Sequence, residues 1–209
     1  MINQIIDAAT HLIITVINST GYAGVFFLMS AESALIPIPS EVTMPFAGFL
    51  AFSGTFNVAA VILVGAIANL FGSILAYFIG YFGEDLLIRN LVHKYGKFLL
   101  ISISEYEKSE KWFRTYGEKI VLFSRILPIV RTFISLPAGV AKMDFKKFVL
   151  FTFIGSLIWS TVLTLVGYTL GANWHSIEGY YRKFEDVIIV LIIALAAYYI
   201  YHKLRKLKK

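Results

Sequence analysis

The sequence predicts an all-α integral membrane protein built around two oppositely oriented re-entrant helical hairpins in an inverted repeat. Three observations predict it. The composition is 58% hydrophobic and only 15% charged, with mean hydropathy +0.74; an ordinary soluble domain carries about 25% charged residues. The basic residues are confined to clusters that orient the apolar stretches between them. Two of those stretches are interrupted by prolines and carry charges at what would be membrane depth. At 209 residues the chain makes one membrane domain, 1–209. The absence of cysteine rules out a disulfide scaffold, a thiol nucleophile and a Cys-ligated metal. No cofactor and no metal are expected.

The elements follow in order. Residues 1–18 read as an interfacial helix, with Ile2, Ile5, Ile6, Ala9, Leu12, Ile13, Val16 and Ile17 on one face and Asn3, Gln4, Asp7, His11 and Asn18 on another. Without a basic n-region, this start is not expected to be a cleaved signal. Residues 21–53 are apolar, yet contain Glu32, Pro37, Pro39, Glu41 and Pro45, and read as re-entrant hairpin 1. Residues 58–82 form a span. Residues 84–118 read as cytoplasmic or interfacial helices, broken near Gly96 and Ser102–Ser104, with Trp112, Phe113 and Tyr116 as interface anchors. Residues 119–140 contain Arg125, Pro128, Arg131 and Pro137 and read as re-entrant hairpin 2. Residues 145–171 form a second span, 187–203 a third, and 204–209 a basic cytoplasmic tail, which makes about three full transmembrane helices.

Charge sets the topology. No Lys or Arg precedes Arg89. Fifteen of the 19 basic residues fall on one side of the predicted arrangement, in 89–119, 142–147 and 203–209. That side is cytoplasmic by the positive-inside rule, so the C-terminus is inside. Arg182 and Lys183 fall outside, and topology accounts for neither Arg125 nor Arg131. The basic clusters anchor the protein in the membrane, and no nucleic-acid partner is expected.

The two hairpins look like copies. Eleven residues separate Pro37 from Gly48, and eleven separate Pro128 from Gly139; each glycine ends an Ala-Gly pair, and each hairpin leads into a span. Opposite orientation brings their tips together near the midplane, the arrangement of transporters with a site between broken helices. The first copy carries two acids, Glu32 and Glu41, and the second two bases, Arg125 and Arg131. One ionised side chain at the bilayer centre costs about 2.5–3.5 kcal/mol, so the four should face each other, a wet cavity or a charged ligand. Two buried salt bridges would satisfy them. So would a site in which the Arg forks hold an anionic group while the Glu side chains balance charge or exchange protons.

At these residues the chain resembles the DedA family of bacterial membrane proteins, which carry the VTT or SNARE-associated domain. The matching pieces are Glu32-x4-Pro37-x-Pro39-x-Glu41, Ala47–Ala51, Phe123-x-Arg125-x2-Pro128-x2-Arg131, Gly139-x3-Met143-x-Phe145 and Gly155-x3-Trp159, with Gly65, Gly72, Tyr77, Gly80 and Gly83 between them. After Gly72 the chain reads Ser-Ile where some members carry an acid. The resemblance implies facing re-entrant hairpins in the bacterial cytoplasmic membrane and translocation of a lipid, with undecaprenyl phosphate the leading candidate and proton coupling part of the picture. A phosphatidylethanolamine transporter or scramblase is the alternative. On that reading Arg125 and Arg131 bind the phosphate, Glu32 and Glu41 couple protons or balance charge, and Pro37, Pro39, Pro128, Gly48 and Gly139 shape the hairpins.

Two other classes compete. A membrane-embedded lipid phosphatase needs a nucleophile; Ser124-Arg125 begins such a motif, but Arg131 stands where its His belongs, and His11, His93, His175 and His202 are scattered. No catalytic residue is expected. A non-transporting organiser of membrane proteins would use small-residue faces such as Gly167-x3-Gly171, which can pack helices within the chain or in a homodimer.

Overall fold

The computed structural model describes residues 2–36, 38–83, 103–125, 127 and 130–171, with no side chains described in 2–9, 103–112 and 114. Eight helices occur among them: α1 (Ile2–Thr20), α2 (Tyr22–Ser33), α3 (Ser40–Phe52), α4 (Val58–Gly83), α5 (Ile103–Ser124), α6 (Val130–Phe133), α7 (Ser135–Val140) and α8 (Phe145–Leu170). Pro37, Pro128, most of the 84–118 segment, the third predicted span at 187–203 and the 204–209 tail lie outside the described residues.

α4 and α8 are each 26 residues long, about 39 Å at helical rise, with mean hydropathy 2.4 and 2.1 in their most apolar windows. Both are long and apolar enough to cross a hydrocarbon core of about 30 Å. Their inward faces are mostly small or polar, with Gly65, Ala68, Asn69, Gly72, Ser73 and Ala76 on α4 and Thr152, Gly155, Ser156, Ser160 and Thr164 on α8, and with Tyr77 and Phe148 the large buried rings. The large apolar residues, among them Phe71, Ile79, Leu150 and Ile158, point out. This pattern suits a lipid surround, where close backbone packing through small residues holds helices together, beside a buried apolar cluster of Tyr77, Phe113, Val121, Ile134 and Phe148.

Each predicted hairpin is broken helix. α2 ends at Ser33, and the chain turns through Leu35, a non-glycine residue in the left-handed region at φ 76°. The turn is closed by the bonds from Leu35 N to Glu32 O and from Ile36 N to Ala31 O, both 3.1 Å, before α3 begins after Pro39. In the second stretch, the sequence expectation put a boundary at 118–119. The structure instead runs α5 without interruption from Ile103 to Ser124, so the first arm of that stretch is the end of a longer helix. The 104–124 sequence has no proline to break it.

Glycines allow close backbone-to-backbone approaches, four of which join the short helices to α4 and α8. A Cβ on Gly48 of α3 would meet the Thr164 carbonyl and Tyr168 nitrogen of α8, and one on Gly167 of α8 would meet Pro45 of α3. A Cβ on Gly139 of α7 would meet the Tyr77 carbonyl and Tyr81 nitrogen of α4, and one on Gly80 of α4 would meet the Leu136 carbonyl of α7. Each short helix thus docks on the long helix that follows the other broken stretch. α4 and α8 run antiparallel against each other. Ser160 Oγ lies 3.1 Å from where a Cβ on Gly65 would stand, Ser73 and Thr152 share one guanidinium, and the Tyr77 and Phe148 rings are 4.6 Å apart.

Candidate functional site

Where the broken helices meet α4 and α8, ionisable side chains are buried. Glu32, at the end of α2, is 5% exposed; Arg131, on the single turn of α6, is 5% exposed; Arg125, just past α5, is 3% exposed. Glu32 and Arg131, 99 residues apart, form an ion pair through Glu32 Oε1 and Arg131 Nη2. Arg131 Nη2 also donates to Ser40 Oγ, and the Ser40 backbone N–H donates to Glu32 Oε1 at 3.4 Å. The break after α2 is what allows this: it returns Ser40, at the first turn of α3, to the carboxylate eight residues earlier. The Arg131 guanidinium also sits over the Trp159 ring of α8, 5.2 Å from its centroid.

Arg125 is held differently. Its Nη1 donates to Ser73 Oγ at 2.9 Å and to the Arg131 carbonyl at 3.0 Å, and its Nη2 donates to Ser135 Oγ at 2.8 Å and Thr152 Oγ1 at 3.2 Å. These four neutral acceptors tie α4, α6, α7 and α8 to one guanidinium. Gly155 makes room for it, since a Cβ there would stand 2.6 Å from Arg125 Cβ. The sequence reading paired Arg125 with Arg131 as equivalent forks; the structure gives one a carboxylate and the other a cage of hydroxyls. Glu41 lies one residue beyond Ser40, partly buried in the first turn of α3, and makes no ion pair among the described residues. Gly48 and Gly139 sit at the helix contacts given above, and Pro39 immediately precedes α3.

The charge balance is uneven: among the described residues two guanidiniums are fully buried against one fully buried carboxylate. Several polar atoms at the same level have no hydrogen-bond partner among the described residues, namely Glu32 Oε2, Arg125 Nε, Trp159 Nε1 and Asn69 Nδ2. Leaving such a group unpaired costs about 1–3 kcal/mol each. The site therefore combines excess positive charge with unused donors, the chemistry that receives an anion.

A model of the VTT domain matches residues 38–169, which include Ser40, Glu41, Arg125, Arg131 and Trp159 and begin just after Glu32. The chain belongs to the VTT-domain family. It is 36% identical to an alkaline phosphatase-like protein of Lactococcus lactis, over 93% of this chain and 92% of that one. It is 34% identical to undecaprenyl phosphate transporter A of Bacillus subtilis, over 91% and 93%. It is 29% identical to the protein DedA of Escherichia coli, over 72% and 68%. No solved structure matches the chain. Together these make it a DedA-family membrane protein.

In this VTT protein the charged members of the site were legible in sequence, but their partners were not. Ser40, Ser73, Ser135 and Thr152 carry no signal as single residues. The available signal was spacing: Asn69 and Ser73 on α4, and Thr152, Ser156, Ser160 and Thr164 on α8, recur every four residues and so share one face.

Proposed function

We propose that this VTT-domain protein carries an anionic lipid headgroup, a polyprenyl phosphate such as undecaprenyl phosphate, across the cytoplasmic membrane together with a proton. The observation that carries this reading is the Arg131–Glu32–Ser40 cluster, in which a fully buried carboxylate occupies a guanidinium that suits a phosphate. A phosphate that takes Arg131 leaves Glu32 buried without its counter-charge, a loss on the order of 3–5 kcal/mol. Protonation of Glu32 removes that penalty. Anion and proton therefore bind together and leave together, by thermodynamic linkage. Arg125 adds its charge and its free Nε–H while holding the Arg131 backbone, and Glu41 balances charge at the rim.

The proposal extends to architecture. We read 21–53 and 119–140 as re-entrant hairpins related by an inverted repeat. The support is numerical: α4 and α8 have equal length at an offset of 87 residues. The contact of Gly48 with Thr164 and Tyr168 recurs as that of Gly139 with Tyr77 and Tyr81, at offsets of 91 for the short helices and 87 for the long. Antiparallel packing of two equivalent helices is what an in-plane pseudo-two-fold axis generates. Ser40 and Arg131, also 91 apart, touch each other and would lie on that axis. The polyprenyl chain stays in lipid while the headgroup crosses between the hairpin tips, the C-terminus facing the cytoplasm.

Lipid co-purification tests the assignment. Mass spectrometry of the purified protein should find a polyprenyl phosphate enriched over bulk phospholipid at least tenfold, and lost in Arg131→Ala. Equal recovery of bulk phospholipid in both proteins would contradict it. The likeness to a protein named alkaline phosphatase-like gives a second reading, hydrolysis of the same headgroup. Release of inorganic phosphate from added polyprenyl phosphate would establish that reading instead.

A further inference from the structure

The face between α4 and α8 is polar far beyond the ion pair. Thr152, Ser156, Ser160 and Thr164 are all buried and lie on successive turns of α8, spanning about 18 Å. On α4 they stand opposite Ser73, Asn69 and Gly65, in antiparallel order. The two halves of this seam are unlike. Toward Tyr77 and Phe148 it is filled: the Arg125 guanidinium takes Ser73, Thr152 and Ser135 as acceptors, and the tilted Tyr77–Phe148 ring pair lies one turn further on. Toward Thr164 no charged side chain enters among the described residues. There Ser160 Oγ and Thr164 Oγ1 are buried with no partner among the described residues, as is Asn69 Nδ2.

Those free hydroxyls are not the habit of this helix. Thr161 and Thr169, on other faces of α8, donate to the carbonyls of Leu157 and Leu165 four residues back, at 2.7 and 2.8 Å. Ser160 and Thr164 keep their hydroxyls turned from the backbone and available to something between the helices. The seam also reaches the ion pair. Ser33, next to Glu32, donates to Asn69 Oδ1 at 2.6 Å, and Trp159, next to Ser160, carries the Arg131 guanidinium. Met44 of α3 crosses the free half, its sulfur 2.7 Å from where a Cβ on Gly65 would stand. Met is an unbranched, mobile side chain that can clear such a position by changing rotamer.

We propose that the half-seam from Asn69 through Ser160 to Thr164 binds a file of water and gives Glu32 its proton access to one membrane face only, with Met44 as the gate and Arg125 as the barrier toward the other face. Hydroxyls and an amide at one-turn spacing are the partners an ordered water needs. A fixed guanidinium repels a hydrated proton on the far side, as positive groups do in pores that exclude protons. The charged groups around Glu32 are Arg131 of α6, Arg125 beyond α5 and Glu41 of α3; α4 carries no Asp, Glu, His, Lys or Arg, its titratable groups being Tyr77 and Tyr81 in its second half, and the charged residues of α8, Lys146 and Lys147, lie at its first turn. The inference rests on Glu32 as the proton-bearing group proposed above.

The chain has no cysteine, so single cysteines report cleanly. Ser160→Cys and Thr164→Cys in membrane vesicles should react with a small, charged, membrane-impermeant methanethiosulfonate from one face only. Both should react at least tenfold faster than Ile158→Cys, which faces outward, and Ser73→Cys, behind the Arg125 barrier. Met44→Ala should speed labelling of Ser160→Cys several-fold. Rates no higher than that of Ile158→Cys, in variants that elute as the wild type does, would overturn the proposal. This readout needs no lipid, so a chain that carries a different headgroup would still label as described. Where a cysteine variant does not fold, the paired Ser160→Ala and Thr164→Val protein supplies the test. It should bind polyprenyl phosphate at wild-type affinity in acid yet exchange it at least tenfold more slowly on a pH jump; a wild-type exchange rate would overturn the proposal.

Discussion

At the scale of single residues, Arg125 and Arg131 look alike in sequence and do different work. Arg131 shares its charge with Glu32, and removing either one alone strands the other. Removing both charges together, as Glu32→Gln with Arg131→Gln, should retain most of the stability, because a neutral buried pair carries little desolvation cost. Arg125→Lys should be worse than the double change: an ammonium cannot reach four acceptors spread over four helices. The expected loss is on the order of 3 kcal/mol, seen as a lower denaturation midpoint in detergent. A midpoint within the error of the wild type would contradict the scaffold role of Arg125. The four charges could be found in sequence because ionised groups in apolar runs are costly and so are rarely accidental. Their neutral acceptors could not, because a serine inside a helix costs little and has many uses.

At the scale of elements, proline and glycine marked most of what mattered. Pro39 stands where the helix restarts, whereas Pro45 is carried inside α3, and the structure supplies the turn at Leu35 that the prolines do not encode. The Ala-Gly pairs matched by spacing make matched contacts, Gly48 on Thr164 and Tyr168, Gly139 on Tyr77 and Tyr81. The continuous α5 was missed because a polar stretch and an apolar stretch were read as two elements, although a helix can leave the interface and enter the apolar zone unbroken. Glycine substitutions separate these cases. Gly139→Ala puts a methyl against backbone that cannot move aside, whereas Gly117→Ala meets only the Phe113 ring, at 2.9 Å. The first should cost about 1–3 kcal/mol. The second should cost less, since alanine also favours the helix by about 0.5–1 kcal/mol. Equal melting temperatures would show that the contact between α7 and α4 does not hold the site together.

At the scale of the whole molecule, low charge and clustered basic residues pointed to a membrane protein, and the family match agrees. The packing follows from the same property: with large side chains turned outward and small or polar ones inward, the interior can hold a buried cluster of two arginines, a glutamate and their hydroxyl partners. No pattern in one sequence could reveal how unequally the hydroxyls between α4 and α8 are used, because that depends on where Arg125 folds. On this account the protein works by moving one guanidinium, that of Arg131, between a carboxylate within the chain and a phosphate from the membrane. Headgroup exposure measured in reconstituted vesicles tests that claim most directly. Wild type should move a polyprenyl phosphate headgroup from one leaflet to the other, Arg131→Ala should slow it at least tenfold, and Glu32→Gln should leave binding intact while abolishing its dependence on pH. Translocation by Arg131→Ala at the wild-type rate, in protein that folds normally, would contradict the account.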